Sequence, residues 1–111
     1  MTSRAPAGPT IHPGEILQEE FLTPHHVSRA RLARATGLPY GRLRRLSHGQ
    51  GRITAETALL LGRVFRTTPE FWLALQAHYD LGWAQANISP DRVARARTLG
   101  TRLQQEQRRR G

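Results

Sequence analysis

Apolar positions recur at helical spacing along most of the chain, which predicts an all-α fold. The pattern predicts long helices over 11–24, 54–65, 69–84 and 90–108, and two short helices within 28–48. Ile16, Leu17 and Phe21 mark the buried face of the first helix. Thr54 and Thr68 are placed to cap the next two long helices. The helix over 54–65 is apolar on nearly every side, and we therefore expect it to be the central helix of the core.

The stretch 28–48 has the spacing of a helix-turn-helix. Ser28 is placed to cap the first short helix, and Gly37 ends it where a left-handed backbone is needed. Pro39 takes the first position of the second helix, about 39–47. Four leucines would pack the two helices at a steep angle: Leu32, Leu38, Leu43 and Leu46. The second helix then projects as a recognition helix for a major groove, with outward positions at Tyr40, Gly41, Arg42, Arg44 and Arg45.

Charge supports a nucleic-acid partner for this stretch. Between Arg29 and Arg52 the sequence has seven arginines and no acid, in a chain of 111 residues with a net charge of +9. All 17 basic residues are arginine, which suits paired contacts to guanine and phosphate. After the recognition helix, the turn HGQGRIT contains two glycines, and Arg52 with nearby backbone N–H groups could clamp a phosphate. The plainer alternative is a helical hairpin with a solvated basic face.

Other functional classes are disfavoured. The chain has no cysteine, which excludes disulfides and thiolate metal sites. The histidines lack helical ligand spacing, and there is no nucleophile–base pair, carboxylate pair or phosphate-binding loop, so we expect no catalytic residue, metal or cofactor. No apolar run approaches the ~18 residues of a membrane span, and the N-terminus lacks the apolar segment of a signal peptide. We therefore expect a cytoplasmic protein with no membrane partner.

Composition divides the chain into three parts. Residues 1–10 are small, polar and proline-containing, and we expect a flexible tail there. Residues 11–86 form the helical domain. Residues 87–111 form a basic helical extension that is too polar to fold alone. This extension could dock on the domain, lie on DNA or fray.

Aromatic side chains line the helix over 69–84. A domain of this size can hardly bury both tryptophans together with Phe71 and Tyr79. We therefore expect part of this surface to form a homodimer contact, through Trp72, Leu75, Tyr79 and Trp83. The alternative is that the whole aromatic stripe belongs to the core.

Five blocks of the sequence, taken in order, resemble the HigA-type antitoxins of the phage-repressor-like Xre/Cro helix-turn-helix group. They are HPGEILQEEFL, the GLP turn, HGQGRIT, TAETALLL and TTPEFWLALQAHYDL, and the resemblance covers about residues 11–86. The resemblance implies a five-helix domain that dimerises and binds a palindromic operator in its own promoter. It also implies a partner toxin of the HigB type, a ribonuclease that cuts mRNA and is neutralised by the antitoxin.

Carried over by position, the resemblance implies base-edge contacts from Pro39, Tyr40, Gly41, Arg42 and Arg45. It implies phosphate contacts from Arg29, His48 and Arg52. The sequence departs from the usual pattern at Arg44, Arg45 and His48, and these changes add positive or potentially positive charge. Two other functions compete with this one: a helix-turn-helix repressor without a toxin, and a protein-interaction domain that has lost DNA binding. The acid-free arginine stretch argues against the second.

Overall fold

The computed structural model describes residues 11–111, so the predicted tail over 1–10 lies outside the described residues. Within 11–111 the elements are all helical: α1 (Pro13–Ile16), α2 (Arg29–Thr36), α3 (Tyr40–Ser47), α4 (Ala55–Phe65), α5 (Pro69–Asn87) and α6 (Pro90–Arg110). The prediction of an all-α helix-turn-helix domain with a C-terminal helical extension is confirmed. In the same range, no helix combines the length and the apolarity needed to cross a membrane.

The first helix begins with a close backbone contact. His12 caps α1 by accepting a hydrogen bond from the Gly14 N–H at Nδ1, 2.9 Å away. A Cβ on Gly14 would collide with the carbonyl oxygen of Leu46, so the start of α1 packs directly on the backbone at the end of α3. The helix then widens into a π-helical segment, Leu17–Leu22. Its i→i+5 bonding turns both end residues toward one face, and both are buried.

The helix-turn-helix has the caps that the spacing predicts. Ser28 Oγ accepts a hydrogen bond from the Arg31 N–H at 3.0 Å, and Gly37 takes the left-handed backbone with φ +77°. One boundary differs from the prediction. Pro39 has an extended ψ of 134° and acts as the cap residue, so α3 begins one residue later, at Tyr40. The Pro39 carbonyl accepts the first hydrogen bonds of α3.

The elements from α1 to α5 share one core. Its buried apolar residues are Leu17, Leu22, Leu32, Leu38, Leu43, Leu46, Ile53, Ala58, Leu61 and Trp72. The four leucines predicted to join the short helices are all among them. α4 gives only one face to this core, because Leu59 and Val64 are exposed. The expectation that α4, which is apolar on nearly every side, is the central helix of the core is therefore met only in part. One side of α4 packs in the core, chiefly against the longer α5, and the other side is open to solvent.

The last two helices run slightly past their predicted ends, to Asn87 and Arg110. No residue of α6 is buried, and Val93 is half-buried near its start. α6 therefore extends from the domain and adds nothing to its core.

Candidate nucleic-acid interface

Helix α3 turns one face to the core and the other to solvent. Leu43 and Leu46 are fully buried and anchor the helix. Tyr40 is 46% exposed. The outward positions named from the sequence are all exposed or half-buried: Tyr40, Gly41, Arg42, Arg44 and Arg45. Two buried leucines in an eight-residue helix thus fix the direction of its outer face and leave that face open, as a recognition helix requires.

The two arginines expected to reach base edges are placed differently. Arg42 Nη1 lies 4.0 Å from Glu56 Oε1 at the start of α4; the Arg42 side chain is half-buried and the Glu56 side chain is largely exposed. Such a pair contributes little, about 0–1 kcal/mol. The Arg45 side chain runs back along α3, because a Cβ on Gly41 would lie 3.7 Å from its Nη1. Neither guanidinium is buried, so both remain accessible to a partner.

A polar groove of about 440 Å³ lies between the start of α2 and the end of α3. Its lining residues are Gln18, Val27, Ser28, Arg29, Ser47 and His48. The structure therefore brings together two of the three residues expected to contact phosphate, Arg29 and His48. The first backbone N–H groups of α2 carry the positive end of its dipole, which favours an anion at this position.

Arg29 is held in a defined position beside the groove. Its Nη1 donates to Ser47 Oγ at 2.7 Å, and its guanidinium lies 6.0 Å from the centre of the Tyr40 ring. Ser47 Oγ in turn donates to the Arg44 carbonyl oxygen. Because a guanidinium has five N–H donors and one nitrogen makes this bond, donors remain for a phosphate.

His48 is oriented by the helix that it follows. Its Nδ1 lies 2.8 Å from the Arg44 carbonyl oxygen, which requires a proton on Nδ1. In the neutral ring, Nε2 is then an acceptor. His48 can therefore donate to a phosphate from Nε2 only as the imidazolium.

The loop after α3 (48–54) is held from behind by two buried polar side chains. His12 Nε2 lies 2.9 Å from the Gly51 carbonyl oxygen, while its Nδ1 accepts the capping hydrogen bond of α1. The ring is thus the neutral tautomer with the proton on Nε2. Gln76 on α5 accepts a hydrogen bond at Oε1 from the Ile53 N–H, 2.7 Å away. Leaving this buried N–H without its acceptor would lower the free energy of unfolding by about 1–3 kcal/mol.

Arg52 is directed by the same network. Its Nη1 lies 2.8 Å from Asp80 Oδ2, and Asp80 Oδ1 accepts from Gln76 Nε2 at 2.9 Å. The Arg52 side chain remains 63% exposed. Arg52 does not line the groove that holds Arg29 and His48, so the three residues expected to contact phosphate fall on two separate parts of the surface.

The residues that position this loop are absent from the sequence predictions: His12, Gln76 and Asp80. His12 bonds to a carbonyl 39 residues away, and Gln76 to an N–H 23 residues away. Helical periodicity carries no information over such separations. The available signal was the pair of blocks HPGEIL and LQAHYDL, which contain all three. Within 11–111 no group of three or more His, Asp or Glu residues could hold a metal ion.

The aromatic side chains of α5 differ in how far the domain buries them. Trp72 is fully buried, and its indole N–H is satisfied inside the same chain at 2.7 Å. Trp72 cannot contact a second copy, and the prediction is wrong for this residue. Leu75 and Tyr79 are half-buried against the domain. Trp83 is 46% exposed, and its ring contacts that of Tyr79.

The opposite side of α5 carries apolar residues that the domain leaves open. We call these residues the outer α5 face: Leu73, Ala77, Leu81, Ala84 and, directly after the helix, Ile88. They recur about one helical turn apart, and Leu81 is 56% exposed. Both sides of α5 are therefore apolar, and the large rings fill the core side. The dimer contact predicted through Leu75, Tyr79 and Trp83 stays a prediction, since Trp83 is itself open to solvent.

Capped short helices, an exposed basic second helix and a fixed glycine-containing loop define a helix-turn-helix protein of the phage-repressor-like class. No family model matches the chain. It is 44% identical over 84 residues to virulence-associated protein I of Dichelobacter nodosus, covering 72% of this chain and 78% of that protein. It is 35% identical over 95 residues to antitoxin HigA-1 of Vibrio cholerae, covering 86% and 89%.

A solved structure of the Pseudomonas aeruginosa antitoxin HigA with the higBA promoter is also similar. The identity is 40% and the TM-score 0.67, over 72% of this chain and 96% of that one. The chain belongs to the family of HigA-type antitoxins, whose members are antitoxins and transcriptional regulators, not enzymes.

Proposed function

We propose that this chain is a DNA-binding antitoxin that represses its own operon and neutralises a HigB-type, mRNA-cleaving ribonuclease in the cytoplasm. The outward face of α3 carries the DNA-binding part of the proposal. Leu43 and Leu46 hold that face in position, and the predicted phosphate contacts flank it. The similar Pseudomonas aeruginosa HigA was solved with promoter DNA, which supports the same partner here.

In this proposal, α3 enters the major groove of the operator. Arg42 and Arg45 make paired contacts to guanines, and Tyr40 packs against a thymine methyl group. Each good paired contact contributes about 1–3 kcal/mol of discrimination against the wrong base. The groove beside α2 and the loop after α3 bind phosphates, which set the register without reading sequence.

Two copies would place one α3 in each of two successive major grooves, about 34 Å apart on a palindromic operator. We assign the contact between the copies to the outer α5 face, with Trp83 at its edge. This face is the open apolar surface of α5, and such surfaces mark interfaces. The assignment keeps the second copy on α5 but moves it from the aromatic side to the opposite one.

The DNA-binding part is tested by fluorescence anisotropy with a duplex that carries the inverted repeat of the chain's own promoter, against a shuffled duplex. Arg45→Gln should weaken operator binding roughly tenfold or more and weaken binding to shuffled DNA less, because a base contact is lost. Arg63→Gln is the matched control, since it removes one exposed charge from α4. Equal binding of both duplexes by the unaltered chain would contradict operator recognition.

The dimer is tested by sedimentation of Leu81→Glu, which puts a charge on the outer α5 face. We expect a monomer, and a loss of operator affinity of about 10²–10⁴-fold as two linked contacts become one. Leu59→Glu is the control, because Leu59 is a similarly exposed leucine on α4. If Leu81→Glu stays dimeric, the assignment of this face is wrong.

The toxin part is tested by co-expression with the small protein that the reading frame next to this gene encodes, and by an assay of that protein for mRNA cleavage. We expect the chain to restore growth and to co-purify with this protein, because family membership implies a toxin partner. Arg45→Gln should still neutralise the toxin, since the change is confined to α3. No rescue and no complex would favour the alternative of a repressor without a toxin.

A further inference from the structure

Most of the net charge of the chain lies on α6, outside the domain. α6 has seven arginines and two acids, a net charge of +5 out of +9. No residue of this helix is buried. Among the described residues, the ion pairs of the chain join Arg42 to Glu56 and Arg52 to Asp80, and neither includes α6. The charges of the α6 arginines are therefore exposed to solvent and are not balanced by an ion pair within the described residues.

The helix has features that stabilise it without a packing partner. Pro90 and Asp91 begin it, and Arg108, Arg109 and Arg110 end it, which complements the dipole at both ends. Asp91 and Arg95 are four residues apart, a spacing that supports an isolated helix. With 21 residues, α6 exceeds the length at which isolated helices are marginal, and it is about 31 Å long.

The arginines form a row on this helix. Arg95, Arg102 and Arg109 are seven residues apart, so they share one side at intervals of about 10.5 Å. A separate narrow stripe carries the apolar residues Val93, Ala96, Leu99 and Leu103. Pairing two copies along this stripe would bring together two helices with a net charge of +5 each, and two acids per helix cannot balance seven arginines. Charge complementarity thus favours a polyanion over a second copy as the occupant.

We propose that α6 is a second DNA-contacting surface that binds the phosphate backbone of the duplex flanking the sequence under α3. The proposal rests on the proposed operator binding, which keeps duplex DNA close to the chain. An exposed helix of about 31 Å extends along roughly nine base pairs at about 3.4 Å each. Its contacts are to phosphates, so they are independent of sequence. Each neutralised phosphate adds about 0.9 to the slope of log affinity against log salt.

The test uses the full chain and an operator selected by that chain from random-sequence duplexes. One duplex carries the operator alone, and a second extends it on each side by more than the length of α6. Arg102→Gln with Arg109→Gln removes two charges from the row and keeps Arg95, which is four residues from Asp91. Arg63→Gln with Arg66→Gln is the matched control, with one change on α4 and one directly after it. Arg66 has φ +61°, and glutamine is no more strained there than arginine.

On the extended duplex, the α6 variant should lower the salt slope by about 1.8 per bound chain, two contacts of about 0.9 each. On the operator alone, and in the α4 control, the slope should stay unchanged. Circular dichroism should show full helix content in both variants, since every changed residue is exposed.

Three results would overturn the proposal. The first is an equal slope for the unaltered chain on both duplexes. The second is an equal effect of the α6 variant on both duplexes. The third is a change of oligomeric state in that variant, which would make a second copy the occupant. A failure to select any operator would instead contradict the proposed function, and the salt slopes of the same variants on long mixed-sequence DNA would then decide the α6 contact.

Discussion

Two regions of the molecule, 29–52 and α6, each contain seven arginines and differ in what holds them. In the first, Arg29 bonds to Ser47 and Arg52 pairs with Asp80. Behind these side chains, buried groups fix the backbone that carries them. In α6, no residue is buried.

The difference separates two uses of the same side chain. Reading bases requires that the recognition helix lies in a fixed register on the duplex, and phosphate contacts from restrained side chains such as Arg29 and Arg52 set that register. Attraction to phosphates needs only charge that DNA can reach. A rigid region and a solvated helix in one chain can therefore divide sequence recognition from general affinity.

The largest effect is expected at the backbone contact between α1 and α3, which supports the first of the two regions. Gly14→Ala should destabilise the domain by about 3 kcal/mol or more, because its Cβ meets a carbonyl that cannot move freely. Gly100→Ala is the matched change in α6, where no atom lies within 4 Å of the added Cβ. It should stabilise that helix by about 0.5–1 kcal/mol. Thermal unfolding followed by circular dichroism measures both. A neutral Gly14→Ala would show that the two helices are not in close contact.

The hydrogen bond to the loop after α3 is expected to have an intermediate effect. Gln76→Met keeps the side-chain volume but leaves the Ile53 N–H without its acceptor, so we expect a loss of about 1–3 kcal/mol in the free energy of unfolding. Operator affinity should fall as well, because the loop is no longer fixed. Gln85→Met, on the exposed part of the same helix, is the control and should have little effect. If the urea unfolding curves of Gln76→Met and Gln85→Met coincide, the role given to Gln76 is wrong.

The smallest effect is expected at Asp80. Asp80→Asn keeps an acceptor for Gln76 but removes the charge that directs Arg52, and an exposed pair contributes about 0–1 kcal/mol to stability. We expect tighter binding to shuffled DNA and a smaller preference for the operator. Asp91→Asn removes an acid from α6 and should raise both affinities equally. An unchanged preference in Asp80→Asn would mean that Asp80 does not position Arg52.

Local features of the fold could be predicted from the sequence, because caps and turns depend on neighbouring residues. Ser28, Thr54 and Thr68 cap helices as expected. The supports of the loop could not be predicted, since His12 and Gln76 reach it across the fold. The spacing of apolar residues could not predict which side of α5 is left open to solvent. Both sides of that helix are apolar, and only the packed core shows which side is left over.

The account depends on two copies of α3, each of which contacts base edges in a major groove of the same operator. Methylation of guanine N7 blocks the atom with which an arginine pairs there, so an interference experiment on the operator tests the claim directly. We expect two clusters of interfering guanines, about 34 Å apart along the duplex. Interference at a single cluster, or none at any guanine N7, would contradict the account.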